Sequence, residues 1–212
     1  MELTAKIRDE VEYVDVTVKE DESITRKKLD LSDFLMMLNE SHEGAKYIPI
    51  GRVPYGYVTG AIAKGNTFWC TLALPAQKRN IIYYGEMHTI AFPAMLFHFK
   101  VQGGKLNESK CFALKEDTLT EKTKLYAYPF GNVYEDGKIC WGTCSIPKCE
   151  KMADVERYLE LFFSAGTNDD LYRGIVAKEY MNQRALLEFL KGEEQFPVEK
   201  LLPAGAEIKM FL

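Results

Sequence analysis

Residues 126–142, Tyr-Ala-Tyr-Pro-Phe-Gly-Asn-Val-Tyr-Glu-Asp-Gly-Lys-Ile-Cys-Trp-Gly, combine the end of a strand, two turns and one cysteine. Aromatic residues alternate with small ones at the start, which predicts a β-strand that ends near Pro129, because proline has no N–H to donate within a sheet. A Gly-Asn pair then breaks the strand, and Glu-Asp-Gly predicts a second turn whose glycine can adopt a positive φ. The sequence therefore places Cys140 in irregular backbone, eight residues after Asn132.

Cys140 and Asn132 together suit acyl transfer through a thioester. A thiolate attacks an acyl carbon, and a nearby amide N–H₂ group stabilises the negative charge that develops on the oxygen. The alternative is structural: Cys140 is a small apolar side chain, and Asn132 is a turn residue whose side chain bonds its own backbone. Spacing alone favours the structural alternative.

The string from Asn132 to Cys140, Asn-Val-Tyr-Glu-Asp-Gly-Lys-Ile-Cys, resembles the active-site segment of ubiquitin-conjugating enzymes. In that family a His-Pro-Asn turn is followed by Asn-(Ile/Val)-x-x-x-Gly-x-(Ile/Val)-Cys, with the same eight-residue step from asparagine to cysteine. The His-Pro half is absent here, because Phe130 and Gly131 precede the asparagine. Whatever that histidine does structurally must therefore be done in another way.

Within this superfamily the chain is most similar to prokaryotic family D, the family of protein B of the ParB-related, ThiF-related cassette. Residues 129–142 fit the string Pro-Phe-x-Asn-Val-Tyr-x-x-Gly-x-(Val/Ile)-Cys-x-Gly of that family. A later Phe-Phe-x segment of the family is similar to residues 162–164, Phe-Phe-Ser. The resemblance covers roughly residues 45–170, which is most of the chain.

The resemblance implies a conjugating acyltransferase. Such an enzyme accepts the C-terminus of a β-grasp ubiquitin-like protein from a ThiF-type adenylating enzyme, as a thioester on Cys140, and passes it to an amine. No cofactor is implied on this chain, because the activating partner uses the ATP. The resemblance assigns oxyanion stabilisation to Asn132, either by side-chain donation or by holding the loop.

Conjugating enzymes also use acidic or polar residues in a loop after the helix that follows the cysteine. Asp169 and Asp170 lie in that place, roughly thirty residues past Cys140, where they can help the attacking amine lose its proton. A solvated acidic turn that caps a helix is an equally good interpretation. Trp141 and Phe130 are candidate partner-binding residues, and a role in the core is the alternative for Trp141.

The composition indicates a globular protein with a proper core: 212 residues, 47% hydrophobic and 27% charged. The net charge of −4 argues against general affinity for nucleic acid or anionic membranes. Residues 1–10 alternate charges with single apolar residues, so we expect no signal peptide, and the most apolar run, residues 89–101, is too short to span a bilayer. Five cysteines without framework spacing indicate free thiols. We therefore expect a cytoplasmic protein.

Local patterns predict an α+β fold, with antiparallel strands followed by the cysteine-bearing loop and then helices. Alternation predicts strands over residues 11–18, 57–63, 67–74, 78–84, 87–91, 95–101, 109–114 and 125–128. Helical spacing predicts helices over residues 30–39, 152–164 and 175–192. The basic run 26–28 is expected in a solvated loop or helix lead-in.

With the resemblance, this gives a ubiquitin-conjugating-enzyme-like antiparallel β-meander with flanking helices over residues 45–192. A strand–helix extension, residues 1–44, precedes it, and a C-terminal tail, residues 193–212, follows.

Two other functions are compatible with the sequence. A non-catalytic scaffold of the same fold, which binds a ubiquitin-like partner, is favoured by the missing His-Pro and by the bulky Trp141 beside the thiol. A zinc-stabilised module would use Cys140, Cys144 and Cys149, but the chain has no Cys-x-x-Cys pair and no histidine near them, so we expect no metal. His98 is expected to be an outward-facing strand residue and not a ligand. The remaining thiols, on predicted strands, are expected to be buried and apolar: Cys70 and Cys111.

Overall fold

The structure is a computed structural model that describes residues 2–7, 13–20, 23–35, 50–116, 118–172, 180 and 182–212. Its contacts divide the chain into two compact units, Met1–Ile48 and Pro49–Leu212. The larger unit contains the cysteine-bearing segment. None of the helices in the described part of the chain is long and apolar enough to cross a membrane.

The smaller unit is a three-stranded antiparallel sheet with the order β1-β2-β3. Its strands are β1 (Glu2–Ile7), β2 (Tyr13–Glu20) and β3 (Ser23–Asp30). Residues 31–35 form a helical segment, α1, whose Phe34 is buried with Val14 and Val16 of the central strand.

Only the central strand and the start of the helix of this unit follow the sequence predictions. β3 carries the basic run 26–28, which was predicted as a loop or helix lead-in, and its side chains there are exposed. Pairing with the apolar β2 accounts for the strand, because a register such as Val16 opposite Lys27 needs no apolar pattern on β3 itself. The rest of the helix predicted over residues 30–39 lies outside the described residues.

The larger unit contains nine strands and two helices in its described residues. The strands are β4 (Tyr57–Ala63), β5 (Thr67–Leu74), β6 (Gln77–Tyr83), β7 (Glu86–Phe92), β8 (Ala94–Gln102), β9 (Lys105–Leu114), β10 (Lys124–Tyr126), β11 (Gly166–Thr167) and β12 (Pro203–Glu207). A 3₁₀ turn, Met152–Val155, leads into α2 (Glu156–Ser164), and α3 (Gln183–Lys191) follows β11. Mostly antiparallel strands with few helices make this an α+β fold.

The strands form a six-stranded sheet, β12-β10-β9-β8-β5-β4, and a three-stranded sheet, β11-β6-β7. A meander in strict chain order would pair β5 with β6. The structure instead pairs β5 with β8, for example Thr71 opposite His98, while β6 and β7 form a hairpin that β11 joins in parallel. This second sheet brings β11 to the region where the cysteine-bearing segment begins.

The central strand β8 is buried on both faces, as its nearly continuous apolar run requires. On one face Phe97 and Phe99 pack against Phe162 and Tyr158 around α2, with ring centroids 5.3 and 5.5 Å apart. On the other face Leu96 belongs to a second cluster, formed with strands β9 and β10 and the C-terminal residues. The six-stranded sheet is therefore covered on both sides at β8.

His98 does not face outward, contrary to the prediction. Its side chain is 3% exposed, because a C-terminal 3₁₀ turn, Ile208–Phe211, covers that face of the sheet. The Thr71 hydroxyl donates to the Phe211 carbonyl oxygen at 2.6 Å and lies 3.0 Å from His98 Nδ1. Burial lowers the pKa of His98 to about 4, so the ring is neutral at pH 7 and donates from Nδ1 to the hydroxyl oxygen.

The end of the chain differs from its predictions at the start of the last helix. The last helix was predicted to begin at residue 175, but Asn182 has an extended backbone and its Oδ1 accepts a hydrogen bond from Ala185 N at 2.9 Å. The helix therefore starts at Gln183, and residues 173–179 and 181 lie outside the described residues. The segment predicted as a tail contains β12, which pairs with β10 in the main sheet.

We expect Phe211→Ala to lower the free energy of unfolding by about 3–5 kcal/mol, as for other large aromatic side chains in cores. The ring is 7% exposed and packs on Phe112 and His98. The neighbouring Met210 is 65% exposed, so Met210→Ala should change the same quantity by less than about 0.5 kcal/mol. Urea unfolding of both variants measures this, and equal effects would contradict the described packing.

Candidate active site

Residues 132–140 form a short hairpin, called here the Cys140 hairpin. Val133 and Ile139 face each other in an antiparallel bridge, and Cys140 N donates to the Asn132 carbonyl oxygen at 2.8 Å. The eight-residue step between asparagine and cysteine is thus the step between two cross-strand neighbours. The spacing noted in the sequence has a direct geometric cause.

The tip of this hairpin is the second turn that the sequence predicts. Gly137 N donates to the Tyr134 carbonyl oxygen at 3.0 Å, and Gly137 has φ +83°, a region that side chains other than glycine rarely adopt. A Cβ at this position would also overlap the Phe112 ring. Glycine is therefore required here both by the backbone conformation and by the close packing on β9.

Strand β9 supports the returning arm of the hairpin. Ile139 N donates to the Ser109 carbonyl oxygen at 3.0 Å, and Cys111 N donates to the Gly137 carbonyl oxygen at 2.8 Å. Val133 and Ile139 are 3% and 2% exposed, so they fix which face of the hairpin is turned to the core. Residues of the opposite parity face outward.

Cys140 is on this outward face and is half-buried. The Tyr134 hydroxyl donates to Cys140 Sγ at 3.7 Å, within the range of a hydrogen bond to sulfur. That hydrogen bond raises the pKa of Tyr134 above its ordinary value, so the phenol stays protonated and remains a donor. Sequence reasoning missed Tyr134, although its position across the predicted turn, six residues before Cys140, is a usable signal.

Asn132 begins the hairpin in the left-handed conformation, with φ +67°, which asparagine tolerates better than most residues. Its Nδ2 donates to the Gly166 carbonyl oxygen of β11 at 2.9 Å. A carboxamide nitrogen has two N–H bonds, and this contact uses one of them. The side chain therefore holds the turn against the second sheet.

Gly131 contacts a residue that the sequence analysis did not single out. Its N–H donates to Gln183 Oε1 at 2.6 Å, and the Gln183 side chain is fully buried. The two residues are 52 positions apart in the chain, so no local pattern connects them.

The two candidate acidic residues occupy different environments. Asp169 Oδ2 accepts from the Tyr83 hydroxyl at 2.9 Å and Oδ1 accepts from Gln183 N at 3.0 Å, so this carboxylate supports the start of α3. Asp170 is exposed, and its Oδ2 accepts from Asn168 Nδ2 at 2.9 Å. The helix-capping interpretation thus describes the contacts of Asp169.

Phe130 was predicted to bind a partner, and this is a correction. Its side chain is 0% exposed and packs against Phe92 and Tyr128, with centroids 4.7 and 5.4 Å away. A side chain without exposed surface cannot contact a partner. The alternation of aromatic and small residues in the sequence does not show that Phe130 points into the core.

Trp141 is half-buried at the edge of the same core. Its indole N–H donates to Ser109 Oγ at 3.0 Å, and its ring lies 6.3 Å from the Tyr158 ring. Trp141 therefore packs against the core, as the structural alternative predicts. These contacts fix the half-buried ring, which directly follows Cys140 in the chain.

The cysteines fall into two groups, and all five are free. Cys70, Cys111 and Cys149 are buried, while Cys140 and Cys144 are half-buried. Burial raises the pKa of Cys70 to about 12 and also raises the pKa of Cys111 and Cys149. Among the described residues, no group of three or more histidine, cysteine or acidic side chains could hold a metal ion.

Comparison with known protein families identifies a matching family. The family model for prokaryotic E2 family D matches residues 39–204, a range that contains the Cys140 hairpin, β11 and α3. No curated protein and no solved structure matches the chain.

Alkylation of the folded protein should separate the two groups of thiols. We expect iodoacetamide near neutral pH to modify Cys140 and Cys144 and to spare Cys70 and Cys111, because a buried thiol with a raised pKa presents neither access nor thiolate. Peptide mass spectrometry measures this. Cys140→Ser should remove one modification and Cys144→Ser the other. An unmodified Cys140 beside a modified Cys70 would contradict the described burial.

Proposed function

This chain belongs to prokaryotic E2 family D, and we propose that it is a ubiquitin-conjugating-like enzyme. It accepts the C-terminus of a β-grasp ubiquitin-like protein as a thioester on Cys140 and transfers it to an amine acceptor. The observation that supports this most directly is the hydrogen bond from Cys140 N to the Asn132 carbonyl oxygen. It keeps a half-buried, free thiol beside the asparagine turn, on the outward face of a rigid hairpin.

The first step is thioester exchange. The Cys140 thiolate attacks the carbonyl carbon of the thioester that a ThiF-type activating enzyme carries, a new C–S bond forms, and the activating enzyme's cysteine leaves as a thiolate. One thioester and one thiolate stand on each side of this exchange, so the two sides are close in free energy and positioning provides much of the rate. ATP is consumed by the activating enzyme, and this chain needs no cofactor of its own. Before loading, the Tyr134 hydroxyl orients the sulfur.

The second step is attack by the acceptor amine. The amine loses a proton and attacks the same carbonyl carbon, negative charge develops on the oxygen, and Cys140 leaves as a thiolate. In our proposal Asn132 stabilises that charge in one of two ways. Its Nδ2 donates the second N–H, which the contact with Gly166 does not use, or its side chain fixes the turn. Asp170, exposed in the loop after β11, accepts the amine proton or orients the amine. Asp169 acts beside it, with its contacts to Tyr83 and Gln183 holding the loop.

The proposed partners follow from the same chemistry. They are the ThiF-type activating enzyme and the β-grasp protein, as in the ParB-related, ThiF-related cassette, and the exposed part of Trp141 is a rigid contact surface beside the thiol. The sheet that carries the hairpin corresponds in this proposal to the ubiquitin-conjugating-enzyme meander, with β6 and β7 as an inserted hairpin. Five free cysteines fit action in the reducing cytoplasm.

A non-catalytic scaffold is the second candidate function. The contact of Asn132 Nδ2 with Gly166 favours it, because a carboxamide that only holds a turn is needed equally by a binding protein. The enzyme forms a thioester on Cys140, and the scaffold does not. Experiments that load the ubiquitin-like protein onto wild-type and variant chains distinguish the two.

Cysteine-to-serine variants test the assignment of the reactive thiol to Cys140. We expect Cys140→Ser to abolish the reductant-sensitive adduct that forms with activating enzyme, ATP and the β-grasp protein, because an oxygen nucleophile gives an ester that thiols do not cleave readily. Cys144→Ser, which changes the other half-buried thiol, should leave the adduct unchanged. Non-reducing gel electrophoresis with and without reductant measures both. A thiol-labile adduct on Cys140→Ser would remove the assignment.

Asn132→Asp tests the carboxamide, since aspartate also tolerates the left-handed conformation but has no N–H to donate. We expect discharge of the thioester to free lysine to slow by about 10²-fold, the effect of losing one oxyanion donor. Asn66→Asp is a matched control, because Asn66 is exposed in the turn between β4 and β5 and has φ +54°. Equal single-turnover discharge rates for the two variants would argue against a role for Asn132.

A further inference from the structure

Gln183 is the first residue of α3, and its backbone is fixed from two sides. Its N–H donates to Asp169 Oδ1 at 3.0 Å, and the preceding Asn182 caps the helix through Ala185 N at 2.9 Å. These two contacts fix the backbone position of Gln183 without any contribution from its side-chain amide. That side chain has no exposed surface.

The buried amide group of Gln183 is satisfied by two elements of the site. Oε1 accepts from Gly131 N at 2.6 Å, and Nε2 donates to Thr167 Oγ1 at 3.4 Å. The Thr167 hydroxyl is directed to the Asn168 carbonyl oxygen at 3.5 Å, so the hydroxyl oxygen is free to accept from Nε2. The donor from Gly131 and the acceptor on Thr167 together define one orientation of the amide.

Gly131 is close to the second sheet. A Cβ at this position would overlap Thr167 Oγ1 and the Asn168 carbonyl oxygen and would lie 3.0 Å from Gln183 Oε1. Only glycine lets the backbone reach the buried amide. Phe130 and Gly131 themselves offer no polar side chain, so a group that fixes this turn must come from elsewhere in the chain.

The contact continues to the thiol through backbone. Asn132 follows Gly131 with φ +67°, and its carbonyl oxygen accepts from Cys140 N at 2.8 Å. A displacement of Gly131 thus moves both the carboxamide of Asn132 and the acceptor that positions Cys140. Asn132 Nδ2 donates to the Gly166 carbonyl oxygen, and the Gln183 amide links Gly131 N to Thr167 Oγ1, so both side chains hold this turn against residues 166–167.

We propose that Gln183 is a positioning residue for the transfer step: its buried amide holds the turn at Gly131 and Asn132 and thereby sets the geometry of Asn132 and Cys140. This role rests on the proposed function. The predicted consequence is specific. Loss of the acceptor on residue 183 should slow discharge of the thioester to an amine more than it slows loading, because a small displacement of the oxyanion donor affects the harder step.

Two variants of the full chain distinguish the role of the hydrogen-bond acceptor at position 183 from the role of side-chain size. Gln183→Met keeps the length of the side chain but removes the acceptor of Gly131 N–H, while Gln183→Glu keeps an oxygen in that place. Leu190→Val is the control for destabilisation, because Leu190 is fully buried on the same helix and is seven residues further along the chain. Thermal unfolding of all three verifies that the control is destabilised to a similar extent.

The first readout is amide hydrogen exchange by NMR, which needs no partner protein. We expect Gln183→Met to accelerate exchange of the Gly131 amide by about tenfold or more relative to the Leu96 amide of the core, since its buried donor loses its acceptor. Gln183→Glu and Leu190→Val should leave this ratio within about threefold of wild type. The wild-type protein alone is also informative, because a Gly131 amide that exchanges at the rate of an exposed loop overturns the proposal.

The second readout is single-turnover kinetics. We expect Gln183→Met to slow discharge to free lysine by about 10- to 100-fold with loading changed by less than about threefold, and Gln183→Glu to recover most of the discharge rate. Discharge by Gln183→Met within twofold of wild type, or an equal loss in Leu190→Val, would overturn the positioning role. A wild-type chain that forms no thioester overturns the proposed function, and the exchange ratio then still decides whether Gln183 holds the turn.

Discussion

The account depends on one backbone hydrogen bond, from Cys140 N to the Asn132 carbonyl oxygen at 2.8 Å. It closes a hairpin in which asparagine and cysteine are cross-strand neighbours, so the eight-residue step in the sequence has a physical meaning. Buried Val133 and Ile139 decide which face of the hairpin meets the core, and glycine at 137 lets the tip pack on Phe112. Exposure of the thiol is thus a consequence of strand parity, and the cysteine needs no special environment to reach the surface.

The hairpin is held by groups distant in sequence. Asn132 contacts the Gly166 carbonyl oxygen, 34 residues away, and Gly131 contacts Gln183, 52 residues away. A net hydrogen bond contributes about 0.5–1.5 kcal/mol, whereas a buried donor left without its partner costs about 1–3 kcal/mol. For the buried contact between Gly131 and Gln183, breaking the hydrogen bond therefore costs more than forming it contributes. Phe130, fully buried between Phe92 and Tyr128, fixes the strand end that leads into it.

Local patterns predicted much of this arrangement. Strands β4 and β5 have the predicted bounds, because a Gly-Asn turn between two alternating segments is a strong hairpin signal. The turn at Gly137 and the irregular backbone at Cys140 follow the predictions as well. The errors at His98 and Phe130 share one cause, which is that chain remote in sequence covers these side chains. His98 alternates with apolar residues and was expected outside, but the C-terminal turn covers it. Phe130 was predicted to lie on a partner-binding surface, but it packs against Phe92, which is remote in sequence. Gln183 belongs to no recognisable sequence motif.

The central claim is that Cys140 carries the C-terminus of a ubiquitin-like protein as a thioester. The most direct test is intact-protein mass spectrometry of the wild-type chain after incubation with a ThiF-type activating enzyme, ATP and a β-grasp protein, followed by tandem mass spectrometry of the adduct at mildly acidic pH. The account predicts a mass increase equal to the β-grasp protein minus one water, assigned to Cys140 and lost on treatment with a thiol. An adduct assigned to a lysine or to another cysteine, or no adduct while the activating enzyme itself is loaded, would contradict it.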